Sequence, residues 1–464
     1  MSQTQPNSKH TLVKFGGSSL ASPNAWKLVF GHIRESYQKQ PLIVVVSALG
    51  KTTRALVGCI QEATLGKREE VEQKLNEIWA THKRIALASL DLILAKNLEQ
   101  RPRLEKQIDD FLASLHQEAM LLCDKLHHHP SPMSSSYGDA MLSFGERATS
   151  QIFQWVLDVA GYPSVWIDAR DIIITDETFG AAKPDQVRTQ HALRQHPSLS
   201  TFWSAVQKPQ EPLQKPPQER PDEQPLRKEI PIPVIGGFMG RSLSGFPTTL
   251  GFEGSDLTTT LLAEASVAER VTIFTDVDGI MTTDPRVVPH AKHIPTLSYD
   301  EAEDLAMGGA RVLHPQTLKP VIESKIPVHV RNTFRPDHPG TIIGPQHAKT
   351  THAPFVEGWK AVAMTLKQKR DDTNETDDTN NTDDTAVLTF IHATDEGQAL
   401  LRQWSEAYDL KLHVDAHGWH LYLASLAVTK SVTKSDPTPA SEERQPSEPP
   451  FALSLPAIHD IFFP

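Results

Sequence analysis

The sequence predicts an α/β protein with a mainly parallel central sheet, and two observations carry that prediction. First, the apolar stretches Leu12–Phe15 and Leu42–Val46 flank a segment, Asn24–Gln38, with helical spacing of its large apolar residues. This is the pattern of a βαβ unit. Second, turns rich in glycine and hydroxyl residues follow four of the predicted strands. In open α/β sheets ligands bind at the edge where the strands end, so these turns indicate a binding site.

The first of these turns follows Lys14, at the end of the N-terminal strand. Gly16 and Gly17 break the strand, and Ser18 or Ser19 can cap a following helix. Adjacent glycines let backbone N–H groups approach a ligand, and a helix N-terminus adds partial positive charge. With the lysine, the stretch suits a polyphosphate, although the spacing is not that of a P-loop. Taken alone, a strand followed by a glycine turn is more often only an ordinary turn.

Three further strand ends show the same enrichment in small and hydroxyl residues. Ser47–Leu56 follows the second strand, and Val234–Gly240 is a strand that ends in glycines. Thr248–Thr260 leads into a helix that begins near Ser255 or Asp256. The pattern is that of a phosphate-handling α/β enzyme.

A long helical stretch separates the first two strands from the rest of the sheet. Residues 57–130 carry helical patterns with almost no glycine, and we interpret them as a structural insertion. Ser143–Glu146 then opens a predicted helix over Arg147–Val159. A carboxylate in a first helical turn is favoured by the helix dipole, which is a sufficient structural explanation for Glu146. The alternative is that Glu146 binds a substrate ammonium group.

Composition changes mark the predicted domain organisation. The catalytic domain is expected at 10–345, with a flexible proline-rich segment at 208–229. A small α+β domain with the order β, β, α, β follows at 355–428, interrupted by a disordered acidic insert at 370–385. Residues 429–464 are predicted to be a mostly disordered tail.

Length and composition exclude several classes of protein. The 464 residues are 39% apolar and 22% charged, which suits about two or three domains with a sizeable core. A net charge of −11 argues against nucleic-acid binding, and no apolar run is long enough for a membrane span. Two cysteines exclude a disulfide framework and a multi-cysteine metal site, so we expect a cytoplasmic protein.

Six motifs in one order, spread over Thr11–Gly344, give the chain a family resemblance. The chain resembles an aspartate kinase of the amino-acid kinase superfamily. The motifs are Lys14-Phe-Gly-Gly-Ser-Ser, Ser47-Ala-x-Gly-Lys-Thr-Thr, Gly145-Glu146, Thr249-Leu-Gly-x-x-Gly-Ser-Asp256, Thr275-Asp-Val-x-Gly-Ile-x-Thr-Thr-Asp-Pro-Arg286 and Val312-Leu-His-Pro315.

The resemblance implies a fold, an activity and cofactors. The fold would be the three-layer αβα amino-acid kinase fold, with a small C-terminal α+β ACT-like domain. The activity would be ATP-dependent phosphorylation of the L-aspartate β-carboxylate to 4-phospho-L-aspartate, the first step of lysine, threonine, methionine and diaminopimelate biosynthesis. ATP and Mg²⁺ would be required, with no side-chain metal site assigned, and a homodimer or higher homo-oligomer is expected.

The resemblance also assigns roles to individual residues. Those with a catalytic role are Lys14 and Asp256, the lysine neutralising phosphoryl charge and the aspartate orienting lysines and Mg²⁺-bound groups. The residues matching aspartate-binding positions are Ser47, Thr53, Arg54, Glu146 and Ser255. The residues matching ATP-binding positions are Lys14, Gly16, Gly17, Ser18, Thr275, Asp276, Met281, Arg286 and Arg311.

The sequence departs from the family pattern where an arginine usually holds a substrate carboxylate. Phe252 stands at that position and Glu253 replaces a glycine. Phenylalanine cannot form a bidentate carboxylate clamp, so Arg54 is a candidate replacement; a solvated helix position explains it equally well. Two alternatives therefore stay open: an amino-acid kinase acting on a different carboxylate, or a catalytically weak sensing subunit that binds nucleotide or amino acid.

Overall fold

The structure is a computed structural model that describes residues 10–94, 99–207, 230–282, 291–307, 313–345, 361–367, 385–391, 411–415 and 418–423. The chain divides into two compact units. The first consists of Met1–Ile280, Pro295–Tyr299 and Leu313–Gln346, and the second of Met281–Ile294, Asp300–Val312 and His347–Pro464. Arg286, Arg311, the predicted flexible segments 208–229 and 429–464, and all of the predicted acidic insert 370–385 except Thr385 lie outside the described residues.

Helices and short strands alternate along most of the described chain. The helices are α1 (Pro23–Lys39), α2 (Thr52–Thr64), α3 (Arg68–Leu94), α4 (Arg101–His127), α5 (Ser136–Val159), α6 (Ala169–Ile172), α7 (Gln186–Gln195), α8 (Ser200–Gln207), α9 (Gly254–Ser266), α10 (Tyr299–Met307) and α11 (Pro315–Ser324). The strands are β1 (Thr11–Phe15), β2 (Leu42–Val46), β3 (Ser164–Ile167), β4 (Ile174–Thr175), β5 (Ile232–Gly236), β6 (Met239–Ser242), β7 (Pro247–Thr249), β8 (Arg270–Thr275), β9 (Ile280–Met281), β10 (His293–Ile294), β11 (Thr296–Ser298), β12 (Val328–Asn332), β13 (Thr341–Gly344), β14 (Ala361–Lys367), β15 (Thr385–Ile391), β16 (Lys411–Asp415) and β17 (Gly418–Leu423).

An eight-stranded sheet in the order β11-β13-β12-β8-β1-β2-β5-β3 forms the centre of the first unit. Each neighbouring pair is parallel except β12 and β13, which confirms the predicted mainly parallel sheet. Phe15 lies opposite both Val46 and Phe274, and Val46 lies opposite Gly236. The carboxyl ends of β1, β2, β5 and β8 are therefore level with one another at one edge.

Alternate side chains of β1 contact different helical layers. Val13 and Phe15 join a buried apolar cluster that α1 to α5 share. Successive strand residues point to opposite faces, so Lys14 points away from that cluster. It points towards α9, which packs on β1, β2 and β8 and against α7 and α11. Helices therefore cover both faces of the sheet, as sheets of this parallel type require.

In the stretch predicted to be a helical insertion, α2, α3 and α4 pack on one another and on α5. The predicted start of the next helix is wrong. Helix α5 begins at Ser136, where the Ser135 hydroxyl accepts a hydrogen bond from the Gly138 N–H, and not at Arg147. Glycines in the sequence of its first half hide the helical pattern there. No helix in the described part of the chain is both long and apolar enough to span a bilayer.

The second unit contains a four-stranded antiparallel sheet in the order β14-β15-β17-β16. Three of its strands, β14, β15 and β17, overlap the stretches that the sequence predicts as strands, Trp359–Leu366, Ala386–His392 and Trp419–Leu426, whereas β16 (Lys411–Asp415) was not predicted. The helix predicted between the second and third strands, Gly397–Tyr408, lies outside the described residues.

Candidate active site

The candidate active site is built on the aligned carboxyl ends of β1, β2, β5 and β8. Lys14, the penultimate residue of β1, extends towards α9, and its Nζ lies 2.7 Å from Asp256 Oδ1. Both side chains are buried, with relative exposures of 9% and 10%. A buried lysine needs such a partner, because an unpaired charge in the protein interior is costly. The pair places one cation and one carboxylate at the sheet edge.

The glycine turn after β1 supports a second loop directly. A Cβ added to Gly17 would lie 2.8 Å from both the Ala48 and Gly50 carbonyl oxygens, so only glycine fits there. The Gly50 N–H donates to the Gly17 carbonyl at 3.0 Å, and the Ser47 N–H donates to the Phe15 carbonyl at 3.1 Å. The turn predicted to bind phosphate (Gly16–Ser18, the phosphate turn) and the loop predicted to bind aspartate (Ser47–Thr53, the substrate loop) therefore pack directly on each other.

The expected helix cap at Ser18 or Ser19 is wrong. Helix α1 begins later, at Pro23, and its N-cap is Ser22, whose hydroxyl accepts from the Ala25 N–H. Ser18 begins a short 3₁₀ turn and is exposed, while the Ser19 hydroxyl lies 2.6 Å from the hydroxyl of Thr333. Proline is preferred at a first helical position, which explains the shift.

Glu146 lies in the middle of α5, not in a first turn, so the helix-dipole explanation for it is wrong. Its Oε1 accepts the Ala48 N–H at 3.1 Å, and its Oε2 has no hydrogen-bond partner among the described residues. Burial raises the pKa of Glu146 to about 8. A buried carboxyl with one unpaired oxygen is costly unless a ligand supplies a donor or a positive charge.

Thr149 holds the next amide of the substrate loop. Its Oγ1 accepts the Leu49 N–H at 2.9 Å. The Thr52 hydroxyl in turn donates to the Leu49 carbonyl at 2.6 Å, which connects the loop to the start of α2. Thr53 is half-buried and Arg54 is exposed in this first turn of α2. Both therefore stand beside the fixed loop, and Arg54 forms no hydrogen bond or ion pair with the other residues that the structure describes.

The loop before α9 carries the departures from the family pattern. Phe252 is 80% exposed, so the residue in the arginine position faces solvent. Glu253 has φ of 54°, in the left-handed region that favours glycine. Its Oε2 accepts the His314 N–H at 2.6 Å, which ties this loop to the start of α11. Burial and then the nearby Asp256 charge raise the pKa of Glu253.

A glycine after β5 brings α9 close to the sheet edge. A Cβ on Gly237 would lie 2.6 Å from Ser255 Cβ. Ser255 is buried in the first turn of α9, one residue before Asp256. The predicted residues Lys14, Ser255 and Asp256 are therefore brought together.

The end of β8 carries the residues predicted on the nucleotide side. Thr275 ends the strand, and the exposed Asp276 follows it. The loop beyond is held by Asn332, which sequence reasoning missed; its Nδ2 donates to Asp278 Oδ1 at 2.8 Å. Met281 ends β9, and Arg286 and Arg311 lie outside the described residues.

Asp139 is a second residue that sequence reasoning missed. It is fully buried on α5, and Thr249 donates to it through its N–H at 2.7 Å and its hydroxyl at 2.9 Å. The Gly180 N–H donates to both carboxylate oxygens at 3.0 Å. Burial raises the pKa of Asp139, although these donors oppose the shift. An acid seven residues before Glu146 on one helix is the sequence signal that was available.

A buried lysine beside glycine turns at the carboxyl edge of a parallel sheet is the arrangement of α/β proteins that bind their ligands at that edge. The amino acid kinase family model matches residues 9–332 of the chain. The chain therefore belongs to the amino acid kinase family.

Relatives within this family are aspartokinases. Aspartokinase 2, chloroplastic, of Arabidopsis thaliana is 32% identical over 338 residues, covering 72% of this chain and 54% of that protein. Lysine-sensitive aspartokinase 3 of Escherichia coli is 31% identical over 355 residues, covering 76% of this chain and 67% of that protein. The chain spans about half the length of the chloroplastic aspartokinases it matches, and 32% of a bifunctional enzyme of Zea mays.

Solved structures agree with the sequence matches. The crystal structure of E. coli aspartokinase III in complex with aspartate and ADP is 27% identical to this chain, with a TM-score of 0.61. The match covers 90% of this chain and 79% of that one. The same E. coli enzyme in complex with lysine and aspartate gives a TM-score of 0.59.

Proposed function

We propose that the protein is an aspartate kinase, which transfers the γ-phosphoryl group of ATP to the β-carboxylate of L-aspartate. The observation that carries the proposal is the pair of charged groups at one sheet edge. Lys14 and Asp256 form an ion pair next to the glycine turn after β1. Glu146 accepts the Ala48 N–H of the loop after β2 with one carboxyl oxygen, and its other oxygen has no partner among the described residues. Family membership, and the aspartate and ADP bound in the E. coli structure, support this choice of substrates.

The chemistry follows from the ionisation of the acceptor. A β-carboxylate is charged at neutral pH, so its oxygen can attack the γ-phosphorus without a general base. A carboxylate oxygen–phosphorus bond forms, the bond from the γ-phosphorus to the bridging oxygen breaks, and ADP leaves with that electron pair. Catalysis then depends on positioning and on neutralising phosphoryl charge, which is the role we give Lys14.

The other residues of the site bind the two substrates. Gly16, Gly17 and Ser18 supply backbone donors to phosphate, while Thr275 and Asp276 contact the nucleotide, together with Met281, Arg286 and Arg311. Glu146 takes the aspartate ammonium through Oε2. Ser47, Thr53, Arg54 and Ser255 hold the rest of the substrate.

Magnesium fits this site only as a partner of the nucleotide. Among the described residues no group of three or more histidine, cysteine, aspartate or glutamate side chains could hold a metal. Kinases hold Mg²⁺ through one or two carboxylates together with the substrate phosphates, and Asp256 is a carboxylate in the right place. Bound Mg²⁺ would neutralise phosphate charge.

Phe252 supports a second candidate, an amino-acid kinase with a different carboxylate acceptor. Its side chain is 80% exposed and cannot bind the second carboxylate of aspartate. A hydroxamate assay with ATP, Mg²⁺ and a panel of acidic amino acids separates the candidates. Aspartate should give the highest kcat/KM. A higher value for another acid would select the second candidate, and turnover with none would leave a sensing subunit.

Two finer features also belong to the proposal. We assign the four-stranded sheet of the second unit to an ACT-like domain, on its β14-β15-β17-β16 antiparallel pairing and the expected helix between β15 and β16. The two cysteines, Cys59 and Cys123, are both free and buried, which suits the reducing cytoplasm. Assembly into a homo-oligomer stays a prediction.

A further inference from the structure

The helical insertion contacts the substrate loop through a chain of three hydrogen-bonded groups. His82 of α3 is buried, with 1% of its surface exposed, and its Nδ1 lies 2.8 Å from the Ile78 carbonyl oxygen. Its Nε2 lies 3.2 Å from Thr149 Oγ1. That same oxygen accepts the Leu49 N–H at 2.9 Å. The chain runs from α3, across α5, to the loop after β2.

The tautomer of His82 follows from these partners. A carbonyl oxygen only accepts hydrogen bonds, so the Nδ1 facing Ile78 carries a proton. Burial lowers the pKa of His82 to about 4, so the ring is neutral at physiological pH and Nε2 is an acceptor. The Thr149 hydroxyl can then donate to Nε2 or to the Gly145 carbonyl, 2.9 Å away, while it accepts from Leu49.

The loop held in this way is the one that carries the substrate contacts. The Ala48 N–H donates to Glu146 and the Leu49 N–H donates to Thr149, so α5 fixes two successive amides. The Gly50 N–H donates to Gly17 in the phosphate turn. A shift of the Thr149 hydroxyl therefore displaces the loop between Glu146 and the glycine turn.

We propose that His82 is a positioning residue for the acceptor substrate, acting from the helical insertion through Thr149 on the Ser47–Thr53 loop. This inference rests on the proposed kinase function for its kinetic consequences, but its structural consequence is independent of it. Thr149 lies between His82 and the loop, so this role requires no contact of His82 with either substrate. Its role is to orient the Thr149 hydroxyl: without Nε2 the single hydroxyl proton turns to the Gly145 carbonyl, and the lone pair that accepts the Leu49 N–H turns with it.

Two substitutions separate this role from general packing. In His82→Asn the amide can still donate to Ile78, but it is too short to reach Thr149. In His82→Gln the longer side chain brings an acceptor oxygen to the Thr149 side. We expect His82→Asn to raise the apparent KM for aspartate about tenfold, the typical effect of removing one buried hydrogen-bond partner. His82→Gln should restore most of that loss, and KM for ATP should stay unchanged in both.

A double-mutant cycle with Thr149→Val tests the route of the effect. If His82 acts through Thr149, adding His82→Asn to Thr149→Val raises the aspartate KM no further. Additive effects, or equal aspartate KM values for His82→Asn and His82→Gln, would overturn the proposal. The same change at the exposed His128 is the matched control and should alter neither constant.

Amide hydrogen exchange keeps the inference testable without turnover. Exchange in the peptide that contains Ser47–Thr53 should speed up in His82→Asn and in Thr149→Val, and remain near the parent rate in His82→Gln. Unchanged exchange in folded His82→Asn would refute the proposal. If loop exchange is faster in His82→Asn than in the parent, but the parent phosphorylates no amino acid, only the kinase function is refuted. If His82→Asn does not fold, the test uses Thr149→Val alone. Exchange in the Ser47–Thr53 peptide at the parent rate in that variant would then refute the proposal.

Discussion

The Lys14 ammonium and the Asp256 carboxylate lie 2.7 Å apart, one on the central strand β1 and the other in the first turn of α9. We expect the same contact to have two consequences, one for stability and one for catalysis. The pair stabilises two buried charges that neither residue could keep alone, and it fixes the lysine where phosphoryl charge is expected to develop.

Lys14→Ala should therefore reduce both activity and stability. Loss of a contact to transition-state charge costs about 3 kcal/mol or more, and unpairing Asp256 costs about 3 kcal/mol of unfolding free energy. Turnover and denaturant unfolding measure the two effects. A Lys14→Met, Asp256→Leu variant should recover stability and stay inactive. Near-normal turnover in folded Lys14→Ala would contradict the assignment.

Glu146→Gln should weaken aspartate binding far more than ATP binding. The unpaired Oε2 is available to a substrate ammonium, and an amide carries no charge to hold one. Apparent KM values for the two substrates give the comparison. Asp158→Asn, an exposed acid on the same helix, is the control and should behave as the parent. Equal losses in both constants would indicate a purely structural Glu146.

The pKa of Glu146, raised to about 8 by burial, predicts a pH dependence. Between about pH 5 and pH 8 the folded protein keeps this proton and the unfolded chain has lost it, so the free energy of unfolding falls as pH rises. Glu146→Gln should flatten that slope in urea unfolding of the ligand-free protein. An identical slope in parent and variant would show that Glu146 is ionised in the free enzyme.

Aspartate binding should release a proton at pH 7. An ammonium beside Glu146 favours the ionised carboxylate, so the neutral carboxyl of the free protein loses its proton when the substrate binds. Calorimetric titrations in buffers with different ionisation enthalpies measure the release. The Glu146→Gln variant should show none, provided that aspartate is added at concentrations high enough for it to bind.

Arg54→Ala tests the missing carboxylate clamp. Phe252 faces solvent, whereas Arg54 is exposed beside the substrate loop and long enough to reach a bound carboxylate. We expect a strong rise in the aspartate KM with little change for ATP. Adding Phe252→Arg should not restore aspartate binding. Glu253 occupies the position where the family has glycine, and its carboxylate accepts the His314 N–H. Normal aspartate binding by Arg54→Ala would mean that another group is the clamp.

Asp139→Asn should lower both Tm and kcat. Both carboxylate oxygens of Asp139 accept hydrogen bonds. In asparagine one of these oxygens becomes an NH₂ group, which would point a donor at the N–H of Gly180 or Thr249. Each unsatisfied buried group costs about 1–3 kcal/mol. Thr249 leads into the loop before Asp256, so its displacement also disturbs catalysis. Wild-type Tm and kcat would contradict this role.

Local signals were enough to predict the strands and the turns of the site. The β-branched run of β2 and the glycines after β1 each specify their own conformation, and so both were predicted. The pairing of β1 with β8 was not, because buried strands are apolar throughout and carry no mark of their partner. Family resemblance supplied the order of motifs that local patterns lacked.

The residues that sequence reasoning missed act over long distances. His82 lies in a helix whose pattern indicates only a core position, and its contact with Thr149 spans 67 residues. Asp139 contacts Thr249 across 110 residues. Glu253 was seen as a departure, but its bond to His314 requires a left-handed backbone that no pattern predicts for glutamate. Each depends on tertiary packing.

The position of β1 in the middle of the sheet has a consequence for biosynthesis. Thr11 pairs with Leu42 on one side and with Arg270 on the other, so the second neighbour leaves the ribosome about 230 residues after the first. Until then β1 is an unprotected edge, which is a site for pairing with other chains. The strand that carries Lys14 is therefore synthesised well before the strand that completes its pairing, and its open edge is a possible site of aggregation until β8 has emerged.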